Sequence, residues 1–102
     1  MTKISNSIEQ KSNILKGLAH PVRITIVEML DSREMCACEI AEQFSIDRTS
    51  VSKHLALMTR LGILEVRRDA QNMRYTLKMK CLMSVLQCID GVIERGVCCE
   101  ED

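Results

Sequence analysis

At Gly62 the hydrophobic period of this chain changes, and that change limits the fold more than any other feature. Before it, Val51, Leu55, Met58 and Leu61 recur at the spacing of one helical stripe. After it, Ile63, Glu65 and Arg67 alternate with Leu64, Val66 and Arg68 as in a strand. Asp69-Ala70-Gln71-Asn72 is polar and turn-forming, and Met73 to Leu77 reads as a second strand. The segment from Asp47 to Gly62 is therefore predicted to be a helix stopped by glycine and followed by a β-hairpin with a basic tip. Asn-Gly and Asp-Gly pairs are both missing from the hairpin, so its turn type stays open.

The upstream half reads as helices. Ile8, Ile14, Leu15 and Leu18 suggest a first helix over Ser7 to Leu18. Pro21 opens a second, because a fixed φ and a missing N–H do no harm at a first helical position. Val22, Ile24, Ile26, Val27, Met29 and Leu30 make that helix apolar almost all round, hence central. A third spans about Cys36 to Phe44, with Ile40, Ala41 and Phe44 inward. Ser45-Ile46 is a turn, and Asp47 suits the N-cap of the helix after it. Downstream, Leu82, Val85, Leu86, Ile89, Val92 and Ile93 form a wide apolar stripe on a last helix, about Met79 to Arg95. A second copy of the chain is the simplest cover for that stripe, which predicts a homodimer. The fold class expected is mainly α with a small β-hairpin wing: a winged helix-turn-helix of about five helices, dimerising through its terminal helices. Residues 1–102 form a single domain, with 1–6 and 96–102 as tails.

The formal net charge is zero over 102 residues, but it is unevenly spread. Residues 46–80 carry eight Lys/Arg against three acids, whereas residues 81–102 carry one base against five acids. The basic third is where a phosphate backbone would be met. No apolar run approaches the roughly 20 residues that span a bilayer, and the N-terminus lacks a signal-peptide pattern. The location expected is cytoplasmic, without a membrane partner. Six cysteines in such a setting read as metal ligands, redox sensors or core residues rather than cross-links. An enzyme has least support: no Gly-rich phosphate loop is present, and the two histidines lack a nucleophile–acid arrangement.

Taken in order, Leu18-Ala19-His20-Pro21-Val22-Arg23, Cys36-Ala37-Cys38-Glu39-Ile40-Ala41, Ser50-Val51-Ser52-Lys53-His54-Leu55, Leu61-Gly62-Ile63-Leu64 and Arg67-Arg68 through Tyr75-Thr76-Leu77 resemble the ArsR/SmtB family of metal- and metalloid-responsive repressors. The similarity covers about residues 7 to 95. It implies a homodimer on palindromic double-stranded operator DNA, with reading side chains on the helix after the turn. Ser50, Ser52, Lys53 and His54 match the recognition-helix pattern, and Arg48 and Thr49 stand where the helix start meets phosphate or a base edge. On the wing, Arg67, Arg68, Asn72 and Arg74 are placed for phosphates or the minor groove. His20 reads as a capping or core residue.

Cys36 and Cys38 are the leading sensor residues. On a regular helix their side chains point about 200° apart, so they converge only at a frayed or distorted helix start. The resemblance implies that a Cys-x-Cys here supplies thiolates to trivalent arsenic, or antimony, with cadmium, lead or zinc as alternatives. The arsenic-responsive branch often adds a cysteine three residues after the second, and Ala41 stands there. Cys98 and Cys99 form a second thiol pair in the acidic tail, able to complete a site with each other or with Cys36 and Cys38. Cys81 and Cys88, seven apart on the last helix, read as core or interface residues. The family's zinc site on that helix uses Asp and His, which are missing around Met79, Cys81 and Val92. The function expected is a repressor released from its operator by soft-ion binding. The alternatives are the same repressor responding to oxidation or reactive sulfur, and a metal-storage protein without DNA binding.

Overall fold

A computed structural model describes residues 4–96. Its elements run α1 (Asn6–Leu18), α2 (Pro21–Ser32), β1 (Met35–Cys36), α3 (Ala37–Glu42), α4 (Arg48–Arg60), β2 (Leu64–Asp69), β3 (Asn72–Leu77) and α5 (Cys81–Arg95). This is a winged helix-turn-helix with five helices, as expected, but its wing differs from the expected hairpin.

Met35 and Cys36 do not open the third helix. They form the short strand β1, antiparallel to β3, with Met35 opposite Tyr75 and Cys36 opposite Arg74. The sheet has three strands in the order β1-β3-β2. The physical reason lies in the hairpin itself: two strands alone are marginal in water, and the outer edge of β3 would carry unpaired backbone groups. Both residues of β1 are buried, so pairing that edge also removes apolar surface from water. The β2–β3 register runs from Leu64 opposite Leu77 to Asp69 opposite Asn72, which leaves only Ala70 and Gln71 as the turn. Ala70 there takes a positive φ of 57°.

The core is aliphatic and centred on α2. Ile26 and Val27 are fully buried, and Leu30 nearly so. Against this helix pack Val51, Leu55 and Met58 of α4, Ile40 of α3, Ile63 and Leu64 at the start of the wing, Leu77 of β3, and Leu82 and Leu86 of α5. Two glycines shape the frame. Gly62 has φ of 83°, a left-handed conformation that ends α4 and lets the chain turn into β2. Gly17 lies so close to Leu61 that a methyl group there would overlap its side chain, which fixes α1 against the end of α4.

The apolar stripe of α5 is split between two environments. Leu82 and Leu86 face the core, while Val85, Ile89, Val92 and Ile93 are exposed, Ile93 by 76%. On α1, Ile4, Ile8 and Leu15 near or within the helix are also exposed. Burying a side chain of this size contributes roughly 1.5–3 kcal/mol, so a single copy leaves substantial apolar surface in water.

Candidate thiol site and nucleic-acid interface

Cys36 sits outside α3 as its N-cap, in extended conformation with φ −81° and ψ 161°. Cys38 follows on the first turn. The angular objection to a shared site applies only to two helical residues, and one of these is not helical. The two sulfurs therefore approach to 2.8 Å without any distortion of α3. That is still well beyond the roughly 2.05 Å of a disulfide bond. The Cys38 thiol, hydrogen-bonded to Cys36, pushes the Cys36 pKa up from its ordinary value.

The backbone at this point is held by Glu39. Its Oε1 accepts the Cys36 N–H at 3.0 Å, and its Oε2 accepts from Arg33 Nη2 at 3.1 Å. These hydrogen bonds, that from Cys36 first, hold the Glu39 carboxyl below its usual range. One residue earlier than β1, Glu34 receives both of its hydrogen bonds from Arg67 of the wing, at 2.8 and 2.9 Å. The thiol strand is thus tied to the wing twice, through the β1–β3 ladder and through this ion pair.

The two thiols line an open cleft of about 250 Å³ whose other walls come from parts far away in sequence. Ala37 and Ala41 of α3 share one wall with them. Arg48, Val51, Ser52 and Leu55 of α4 form another, and Gln71, Asn72 and Met73 at the wing tip form the third. Three side chains expected at DNA, namely Arg48, Ser52 and Asn72, accordingly border the space into which the thiols open. Gln71 and Met73 were not singled out by sequence. Nothing in local pattern marks them, because only the folding of the wing over α3 brings them there.

The remaining expected DNA residues divide by their partners. Arg48, Thr49, Ser52 and Lys53 are exposed along the first turns of α4, as are Arg68 and Asn72 on the wing. Ser50 donates its hydroxyl to Asp47 Oδ1 at 2.6 Å, a hydrogen bond that lowers the Asp47 pKa. Asp47 occupies the N-cap position, but its carboxylate takes this hydroxyl rather than a backbone N–H. Arg67 is occupied by Glu34. Arg74 donates from Nε to Asp69 Oδ2 at 3.1 Å and lies 4.0 Å from Glu34.

His54 is turned toward α2. Its Nδ1 accepts from Arg23 Nε at 3.0 Å, and its ring lies 4.5 Å from that of His20. His20 caps α2, with Nδ1 accepting the Val22 N–H at 3.1 Å. Burial first, then the neighbouring His20 and Arg23, lowers the His54 pKa below its usual 6.5. A histidine depressed in the folded state binds its proton more readily when unfolded. Its contribution to stability is full above about pH 6.5 and is lost as pH falls from there through the folded value. Thermal melting between about pH 5.5 and 7.5 should show stability rising with pH, with a shallower slope in His54→Gln.

Cys81 is exposed and Cys88 half-buried on α5, whereas Cys98 and Cys99 lie outside the described residues. Among the described residues no group of three or more His, Cys, Asp or Glu is placed to hold a metal ion. The site available is a dithiol. Among the described residues no helix is long and apolar enough to cross a membrane.

The family description "Bacterial regulatory protein, arsR family" matches residues 20–66, which run from the cap of α2 through the thiol pair and α4 into β2. This protein belongs to the arsR family. Its kin are regulators and not enzymes. The chain is 27% identical over 96 residues to an arsenical resistance operon repressor of Staphylococcus xylosus, covering 92% of each. The crystal structure of Rv0081 from Mycobacterium tuberculosis superposes with a TM-score of 0.79 at 26% identity, covering 91% of this chain and 94% of that one. The homodimeric winged helix-turn-helix DNA-binding domain Mb0332 of Mycobacterium bovis shares the fold, with a TM-score of 0.80 at 20% identity and coverage of 99% and 100%.

Proposed function

We propose that this arsR-family protein is a cytoplasmic, homodimeric repressor that binds a palindromic double-stranded operator and releases it when Cys36 and Cys38 take up arsenite or a related soft ion such as antimonite. The observation that carries this reading is the cleft in which two converged thiols face the start of α4 and the wing tip. The arsenical resistance operon repressor among its relatives supports the choice of inducer. The exposed edges of α5 and α1 support the dimer, as does the homodimeric Mb0332. Half-sites would lie about one helical turn, roughly 34–36 Å, apart.

The donor set fits trivalent arsenic. Arsenous acid exchanges two As–O bonds for two As–S bonds, and the two thiol protons leave with the hydroxyl groups as water. No electron is transferred and no net proton is released, so the raised Cys36 pKa does not oppose the reaction. Soft thiolates also exclude Mg²⁺ and Ca²⁺, while leaving cadmium, lead or zinc as alternative ions. Cys98 and Cys99 are candidates for the third thiolate. Insertion of the ion between the sulfurs moves β1 and α3 against the wing tip and α4. A coupling of about 1–3 kcal/mol would weaken operator binding some 5- to 150-fold.

The approach of two sulfurs, with no third ligating side chain grouped with them among the described residues, also favours a second reading. A hydroperoxide or persulfide would oxidise the pair to a disulfide: two thiols give up two electrons and two protons, and the peroxide O–O bond or persulfide S–S bond is reduced. Arsenite and hydroperoxide should be compared on the operator complex by fluorescence anisotropy, each with and without a phosphine reductant. Release by arsenite in reductant supports the first reading. Release by oxidant alone, reversed by reductant, supports the second, and failure of both removes the thiols from the mechanism.

The Glu34–Arg67 pair gives a further expected outcome. Glu34→Gln frees Arg67 for phosphate, so operator binding should strengthen at low salt. The slope of log affinity against log salt should steepen by about one for each arginine released.

A further inference from the structure

Arg23 pairs backbone groups that α1 would otherwise leave open. The last four carbonyls of a helix have no partner within it. In α1, those of Leu15 and Leu18 take the backbone N–H groups of Ala19 and His20. Those of Lys16 and Gly17 take Arg23 Nη1, at 3.3 and 3.2 Å. A cation is also favourable at that end of a helix. Gly17 permits the approach, since its bare Cα lets α1 lie against Leu61 at the end of α4. The three helices meet there in an open cleft lined by Asn13, Lys16, Gly17, Arg23, Leu57 and Leu61.

From the same guanidinium, Nε donates to His54 Nδ1 at 3.0 Å. One planar group thus spans the end of α1, the first turn of α2 and the middle of α4, directly after Ser52 and Lys53. His20 stands beside this joint, its ring 4.5 Å from that of His54 and its Nδ1 accepting the Val22 N–H. Both imidazoles accept at Nδ1, which only a neutral ring does; an imidazolium donates from both nitrogens. Protonated His54 would turn an N–H toward the N–H of Arg23 and set one positive charge against another. Arg23 of α2 and His20 before it face His54, and Lys16 of α1 borders the same cleft as Arg23. The charged and titratable groups set against His54 are therefore basic. Among the described residues no carboxylate pairs with any of these four side chains. A proton taken up by His54 finds no counter-charge in the protein.

We propose that Arg23 is a positioning residue for the reading helix, and that protonation of His54 breaks its hold and releases the operator. Acid is then an input separate from the thiols. This inference rests on operator binding through α4 and adds a control to it. The helix that loses Arg23 carries Arg48, Thr49, Ser52 and Lys53. Base contacts need that helix in register, whereas attraction to phosphate is indifferent to sequence and persists.

The test uses the full-length reduced protein and two labelled duplexes at constant salt. One duplex is selected by the protein itself from a random double-stranded library at about pH 7.5, and the other is unselected. By anisotropy, affinity for the selected duplex should fall at least about threefold between about pH 7.5 and 5.5, since one proton allows up to about tenfold per pH unit. Affinity for the unselected duplex should stay within about twofold. His54→Asn keeps an acceptor where Nδ1 stands but takes up no proton in this range. Its profile, referred to its own value at the higher pH, should be flat. Arg23→Gln should bind the selected duplex at least about threefold more weakly at the higher pH, as expected for lost hydrogen bonds, with little further loss on acidification. Its slope of log affinity against log salt should match the parent's, because Arg23 is engaged with α1 and α4 and not with phosphate.

A flat or rising profile for the selected duplex, an equal fall for both duplexes, or an undiminished fall in His54→Asn would overturn the proposal. So would a salt slope smaller by about one in Arg23→Gln, which would make Arg23 a phosphate contact. Should neither variant fold, the parent's two profiles decide. Failure to bind any duplex at the higher pH would remove operator binding itself, and this inference with it.

Discussion

Replacing Cys36 and Cys38 together by Ser should leave operator binding within about twofold of the parent and abolish its release by arsenite. The asymmetry follows from where the two residues sit. Cys36 caps α3 and lies in the β1–β3 pair, and serine is a better N-cap than cysteine in the same volume, so the frame that carries α4 persists. What disappears is the dithiol. A hydroxyl pair has little affinity for a soft ion, and the parent's loss of operator affinity, some 5- to 150-fold, should fall to none. Either single substitution should be nearly as damaging, because one remaining sulfur cannot chelate. Anisotropy on a labelled operator duplex, with and without arsenite at fixed salt, measures both quantities. A response that survives in the double variant would move the sensor to other cysteines.

The second large effect should come from α5. Ile89→Glu puts a charge in the middle of the exposed apolar edge formed with Val85, Val92 and Ile93. If that edge is the dimer seam, the variant should elute as a monomer by light scattering. Its operator affinity should drop by 10²- to 10⁴-fold, the range lost when two linked half-site contacts become independent. Ile89 is 48% exposed in the single chain, so its change should not disturb the core around Leu82 and Leu86. A variant that stays dimeric, with operator binding intact, would place the seam elsewhere.

Helices α1, α2 and α4 and the wing strands were legible because their apolar positions follow one period at a time and their stops are chemically marked by Pro21 and Gly62. Strand β1 was not. Met35 and Cys36 make only two residues of strand, and their partners Tyr75 and Arg74 lie far along the chain. Without that pairing, the neighbouring Glu39 reads as the first turn of a helix already begun at Cys36.

The consequence for the site is direct. The thiol pair was identifiable from its spacing, but the geometry that unites it depends on Cys36 being extended, which only the β3 pairing imposes. Partner choice was hidden for the same reason. Glu34 takes Arg67 across the fold, Arg23 takes His54, Asp47 takes Ser50 and Asp69 takes Arg74, so four residues expected to face DNA have protein partners in the unbound chain. Charge pattern located the basic region but carried no information on which cations were already engaged.

Mechanical linkage between sulfur and the reading elements is tested most directly by following both in one cuvette. Arsenite is titrated into the reduced protein on a labelled operator, with sulfur–arsenic absorption reporting occupancy and anisotropy reporting DNA. The two signals should rise together, saturate at one arsenic per protomer, and end with operator affinity lowered by some 5- to 150-fold at constant salt. Saturation of the thiols with the operator still bound at its original affinity would contradict the linkage.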